Sequence, residues 1–183
     1  MLLSPPRSRT VPGFSVRGKA ILLLVFCVAV PCASILATDN YEYGDDEYVT
    51  ITNGISPNGR YAITAHGEGE YGYDNFHLFL TDAVTGARMS VLKEIVEPLD
   101  TGAGSYGAKW AGDSHSVVIV YRIDRHEPLK VVSYRIADRQ AFLIKGPVDA
   151  NNEQTRYWGK YCSGAGPSKK TFGTPKQHGE PKT

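Results

Sequence analysis

With 183 residues, 42% of them hydrophobic and 21% charged, the chain has room for one hydrophobic core and lacks the composition of a disordered protein. Eleven tyrosines against two methionines, with 19 glycines and 11 prolines scattered throughout, fit short strands joined by turns and argue against an all-helical fold. A formal net charge of +1, with basic residues dispersed among acids, argues against a nucleic-acid-binding surface.

Residues 1–37 read as an export leader. Arg7, Arg9, Arg17 and Lys19 precede an uncharged run over residues 20–37, and Asp39, Glu42, Asp45, Asp46 and Glu47 follow at once. Pro31 breaks the apolar helix, and Cys32 with Ser34, or Ala37, offers a cleavage position. The alternative is an uncleaved signal anchor, because this run approaches the roughly 20 residues that span a bilayer. Either way the positive-inside bias puts residue 38 onward outside the cytoplasm, so the expected location is periplasmic or secreted, or membrane-anchored through the leader alone. Phe26 before Cys27 and Pro31 before Cys32 argue against a lipoprotein. A cleaved chain keeps only Cys162 of its 3 cysteines, which rules out an internal disulfide framework and any cysteine-built metal site.

Beyond the leader the charge is uneven. Residues 38–108 carry 3 bases and 12 acids, residues 109–183 carry 13 bases and 7 acids. Such halves attract each other within one fold, or between copies as a head-to-tail self-association.

In chain order, Tyr48-Val-Thr-Ile-Thr52 alternates and is β-branched, predicting a strand that ends in a tight turn at Asn53-Gly54. Ser56-Pro-Asn-Gly59 is a second turn, and strands are expected over residues 60–65, 76–80 and 88–92. Residues 93–107 read as a linker. Trp110-Ala-Gly-Asp-Ser114 then reads as a turn of the Ser-Pro-Asn-Gly kind, with strands over 116–121, 130–136 and 141–144. The two blocks, 48–92 and 110–144, match at a spacing of about 55 residues. Tyr61, Ile63, Phe79, Leu80, Trp110, Val118, Val120, Tyr134 and Ile136 are the expected large packing residues. From residue 163 the composition turns to Gly, Pro, Ser and Lys, which predicts a disordered tail over 163–183.

Ile-Ser-Pro-Asn-Gly-Arg-Tyr-Ala-Ile over residues 55–63, then Phe-His-Leu-Phe-Leu-Thr-Asp-Ala-Val-Thr-Gly over 76–86, resembles the blade repeat of TolB-type β-propellers. Trp110-Ala-Gly-Asp-Ser-His-Ser-Val-Val-Ile119 is similar to a degenerate second copy, its Trp at the usual aromatic position. The resemblance implies two antiparallel meanders, fewer than the ~4 blades of a closed propeller. The expected fold is therefore all-β: two propeller-blade-like meanders packed as a small sandwich or partial propeller after an N-terminal signal helix, with the β domain at 38–162.

Several clusters have residue types that carry chemistry. Gly67-Glu-Gly-Glu-Tyr-Gly72 has G-x-G-x-x-G spacing, but a strand follows instead of a helix, and Glu68 and Glu70 repel phosphate. Residues 67–75 form a connection longer than a hairpin needs and gather Glu68, Glu70, Tyr71, Tyr73 and Asp74 among glycines. Its acids lack calcium-loop spacing, and His66, His77 and Asp74 are too few for a convincing zinc site. Asp113, Ser114 and His115 have the residue types of a hydrolase triad, but neighbours in one turn point apart. Arg122, Arg125 and His126 sit near a hairpin tip, where arginines can grip carboxylate or phosphate. The expectation is a non-enzymatic exported module with no catalytic residues, metal or cofactor. It would bind a protein, peptide or glycan through Glu68, Glu70, Tyr71, Tyr73 and Asp74, aided by Arg122, Arg125 and His126. An inhibitor of an extracellular hydrolase, or a hydrolase with an unrecognised site, is the alternative.

Overall fold

The computed structural model describes residues 40–96, 98–162 and 170–174; the leader, and with it the signal helix, lies outside them. Nine strands form one sheet: β1 (Tyr48–Ile55), β2 (Tyr61–Glu68), β3 (Asp74–Asp82), β4 (Arg88–Leu92), β5 (Gly107–Trp110), β6 (Ser116–Tyr121), β7 (Lys130–Ala137), β8 (Gln140–Asp149) and β9 (Thr171–Phe172). Their order is β4-β3-β2-β1-β5-β6-β7-β8, with β9 on β1. Among the described residues there is one α-helix, α1 (Asn152–Tyr161). No helix among the described residues is long and apolar enough to cross a membrane.

The all-β expectation holds, and each block is a four-stranded antiparallel meander. The meanders are hydrogen-bonded to each other: β1 and β5 run parallel and pair at Thr52 and Gly107. The sheet curls until β4 lies beside β8, giving a nearly closed, barrel-like shape around one core. That core takes Val49, Ile51, Ile63, Leu78, Leu80 and Leu92 from the first meander and Val117, Ile119, Val132, Tyr134 and Ile136 from the second. Tyr106 stacks between Phe76, 5.6 Å away, and Tyr121, 6.2 Å away. Of the expected packing residues, Trp110 and Val118 are half-buried and the other seven are buried. β8 ends the sheet, and its Phe142, Leu143 and Ile144 stay exposed.

The internal match is visible atom by atom at the turns. Gly59 N donates to Ser56 O at 2.9 Å, and Ser114 N donates to Ala111 O at 3.0 Å. Asn58 Oδ1 accepts from Arg60 N, as Asp113 Oδ1 accepts from His115 N. Gly59 has φ 70° and Ser114, its counterpart, φ 64°. A serine tolerates that left-handed backbone because its Oγ accepts Asn58 N at 3.1 Å, tying the two turns together. The register agrees: Ile55 opposes Ala62 as Trp110 opposes Val117.

Four expectations are corrected. Asn53-Gly54 is not a turn but a bulge inside β1, where Asn53 takes φ 54° and the ladder slips between Thr50 and Ile55. Trp110 Nε1 donates to Gly54 O at 3.0 Å, so the second meander holds the bulge in place. The linker 93–107 contributes Ile95, Asp100, Thr101 and Tyr106 to the interior and enters β5, which is too short to show a period of its own. The helix α1 is not among the expected elements; Asn151 and Gln154 form a capping box over its first turn. Finally, residues 170–174 of the supposedly disordered tail are placed against β1, and the rest of the tail lies outside the described residues.

Candidate functional site

Because β1 and β5 are parallel, the β2–β3 and β6–β7 connections leave the same end of the barrel. Both loops singled out in the sequence therefore share that end with the β4–β5 crossover and the segment 40–47, which topology places there too.

The β2–β3 connection is not longer than a hairpin needs, contrary to the expectation from its sequence, because β2 and β3 extend further into it. Glu68 closes β2 and pairs with Asp74 at the start of β3, leaving residues 69–73 outside the ladder. Within it a single 3-10 turn spans Glu70–Gly72, and Tyr71 takes φ 59° and ψ 14°. Left-handed backbone costs a non-glycine residue about 1–2 kcal/mol, so the surroundings must impose it. Thr101 does so from behind: its Oγ1 donates to Tyr71 O and accepts Tyr41 N at 3.0 Å, while its own carbonyl accepts the Tyr43 hydroxyl. Thr101 is fully buried and nothing in its local sequence marks it, since its role depends on two other segments.

The buttressed turn turns aromatic rings outward. Tyr71 is 49% exposed and Tyr73 46%. The Tyr73 hydroxyl lies 2.9 Å from Asn40 Oδ1 and 3.2 Å from Leu99 O, fixing its ring, and Asn75 Nδ2 donates to Glu68 Oε2 at 2.9 Å. Glu68, Glu70 and Asp74 are exposed around them. Behind the turn, burial and the Glu47 carboxylate, 2.8 Å from its hydroxyl, push Tyr41 up to about 12.

The second group divides. Arg122 belongs to the interior: Nη2 and Nε lie 2.7 and 3.1 Å from Asp100 Oδ2, a carboxylate only 1% exposed, and the guanidinium sits 5.7 Å from the Trp158 ring centre. Its charge holds the crossover to β6 and is not presented at a tip, because Leu99 N also donates to Arg122 O and brings Asp100 under it. Arg125 and His126 are exposed in the hairpin loop, where His126 N donates to Asp124 Oδ1 at 2.7 Å.

The remaining constellations have structural roles. His66 and His77 oppose each other across β2 and β3, with His66 Nδ1 2.7 Å from Glu47 O and its ring stacked on Tyr48. No cluster of three metal-ligating side chains occurs among the described residues. Ser114 Oγ accepts Asn58 N from the other turn and Asp113 Oδ1 accepts His115 N within its own, so the Asp-Ser-His run makes no relay.

One concavity, of about 280 Å³, lies between α1 and the outer face of β5 and β6. Trp110, Val118, Val120 and Tyr157 line it, and Lys109 and Glu153 pair at 2.8 Å beside them. Their hydrogen bond raises the lysine and lowers the carboxylate from their ordinary values, so both stay charged and mutually satisfied. Such a pair is poorly suited to proton transfer.

Comparison with protein-family models, curated proteins and solved structures finds no match.

Proposed function

We propose that this chain is an exported, non-enzymatic interaction module that holds a protein, peptide or glycan partner against Glu68, Glu70, Tyr71, Tyr73 and Asp74. One observation carries the reading: Tyr71 is kept in a left-handed conformation by a buried hydrogen-bond relay, yet its ring is left half in solvent. Backbone strain is found at ligand clamps and binding loops, and here it accompanies an exposed ring. Tyrosine is suited to the task, giving a large amphipathic contact area at low entropy cost. The acidic surround favours a partner with basic or hydroxyl-rich contact groups, and Arg125 and His126 lie at the same end of the barrel. The blade-like meanders fit this role, as rigid scaffolds that display loops.

The test is selection of ligands from a peptide library and a glycan array with the folded chain, followed by affinity measurements on variants. Tyr71→Ala and Tyr73→Ala should each weaken the selected ligand at least ~30-fold, the equivalent of a hot-spot loss of ~2 kcal/mol. Tyr71→Gly should lose binding equally while its melting temperature is unchanged or higher, since glycine relieves the left-handed strain. Unchanged affinity in both alanine variants would overturn the assignment. Export itself is tested by a topology reporter fused after Ile144, which should be active only outside the cytoplasm.

A further inference from the structure

The edge of β1 facing away from β2 is shared by two strands. β5 reaches it only at Thr52, and the earlier part, Tyr48 and Val49, is paired by β9, running antiparallel. A strand edge with no neighbour offers a row of donors and acceptors to any extended segment. Here the chain's own tail takes that place. Tyr48 opposes Phe172, Val49 opposes Thr171, and Thr50 N donates to Lys170 O at 2.9 Å.

The five residues 170–174 are held by more than backbone pairing. The Phe172 ring packs on Gly86 of the β3–β4 turn, and the Lys170 ammonium lies 4.6 Å from that ring's centre while donating to Ala83 O. Thr174 N donates to Asp46 Oδ1 at 3.1 Å. Gly173 takes φ 80°, and a Cβ there would overlap the Asp46 carbonyl, so only glycine fits. Charge agrees as well: residues 163–183 carry Lys169, Lys170, Lys176 and Lys182 against Glu180, and residues 173 and 174 lie beside Asp46 in the acidic half of the chain.

We infer that the β1 edge, with Gly86, Ala83 and Asp46, is a receptor groove for an extended basic peptide of the pattern Lys-x-aromatic-Gly, and that residues 170–174 are its occupant in cis. The composition of the tail supports a ligand more than a structural strand, because one aromatic, one lysine and one glycine supply nearly every contact. Recognition follows β-strand addition, in which the ladder supplies affinity and alternate side chains supply specificity. Only residues 163–169 separate the occupant from Cys162 at the end of α1, so its binding is an intramolecular event. A peptide in trans therefore competes poorly until the tail is displaced. This inference is independent of the Tyr71 surface.

The experiment uses the full chain and a fluorescent synthetic peptide matching residues 168–176. Gly173→Val expels the tail by the overlap described, and Phe172→Ala loosens it without adding bulk. Both variants should bind the peptide at least 10-fold more tightly than the parent chain. In a peptide carrying Phe172→Ala, that binding should fall at least 10-fold. Amide exchange at Thr50 supplies a second readout: it should speed up in both variants and slow again when the peptide is added. Equal peptide binding by all three chains, absence of binding to both variants, or unchanged Thr50 exchange would each overturn the inference.

Discussion

Tyr134 places its hydroxyl 2.7 Å from Glu94 Oε2, and Tyr106 and Tyr121 are buried beside each other in the same core. Burial raises all three from the ordinary value of 10: Tyr121 to about 12, Tyr134 further with the help of Glu94, and Tyr106 well above it. A phenol with a raised folded-state pKa holds its proton more tightly in the fold than in the unfolded chain. Its contribution is complete below about pH 10 and is lost as pH climbs through the folded value. The melting temperature should therefore be insensitive to these groups up to about pH 10 and fall steeply between about 10 and 12. Calorimetric scans across that range check it, and an unchanged melting temperature at pH 12 contradicts it. The same scale shows why the core was only partly legible. Tyr61, Ile63, Leu80 and Tyr134 sit in alternating strand patterns, whereas Tyr106 lies in a stretch read as linker and is buried only because the crossover passes through the barrel end.

Among the elements, α1 lacks a strand's alternation and is specified by its cap. Asn151 Oδ1 accepts Gln154 N at 2.9 Å and Gln154 Oε1 accepts Asn151 N at 2.8 Å. The helix docks on the β4–β5 crossover through the Trp158 indole, which donates to Ser105 O, and on β5 through the Tyr157 hydroxyl, which donates to Ala108 O. The approach is close because Gly107 has no side chain: a Cβ there would lie 2.5 Å from Cys162 Sγ. Removing the cap by Asn151→Ala should cost about 1 kcal/mol. Since Cys162 ends α1 with its thiol buried against Gly107, a helix that undocks exposes it, and the variant should also react faster with a thiol reagent under native conditions. Labelling at the parent's rate would show that the helix stays docked without its cap. The capping pattern was readable in the sequence; the reason for Gly107 was not, since Cys162 is distant in the chain.

For the molecule as a whole, the decisive contact is the short parallel ladder between β1 and β5, supported by Asn58 to Ser114 and Trp110 to Gly54. It makes one sheet of two meanders, and neither has a core of its own, since the buried cluster draws on both. Heat should therefore unfold residues 40–162 in a single transition, with equal calorimetric and van't Hoff enthalpies. A chain ending at Leu92 should show no cooperative transition. Two separate transitions in the full protein would instead show independently stable blades.

The local sequence determined the strand-forming runs, the two related turns and the spacing of about 55 residues between them, because β-branched alternation and turn chemistry act within a few residues. It also pointed to Tyr71 and Tyr73 as exposed, since a glycine-rich acidic loop has little to bury. Tertiary structure alone decided that Asn53-Gly54 is a bulge, that Arg122 is an interior charge paired with Asp100, and that residues 170–174 lie on β1. Each of those outcomes rests on a partner far along the chain. Hydrogen bonds and ion pairs formed across such distances leave no periodic trace in the residues that make them.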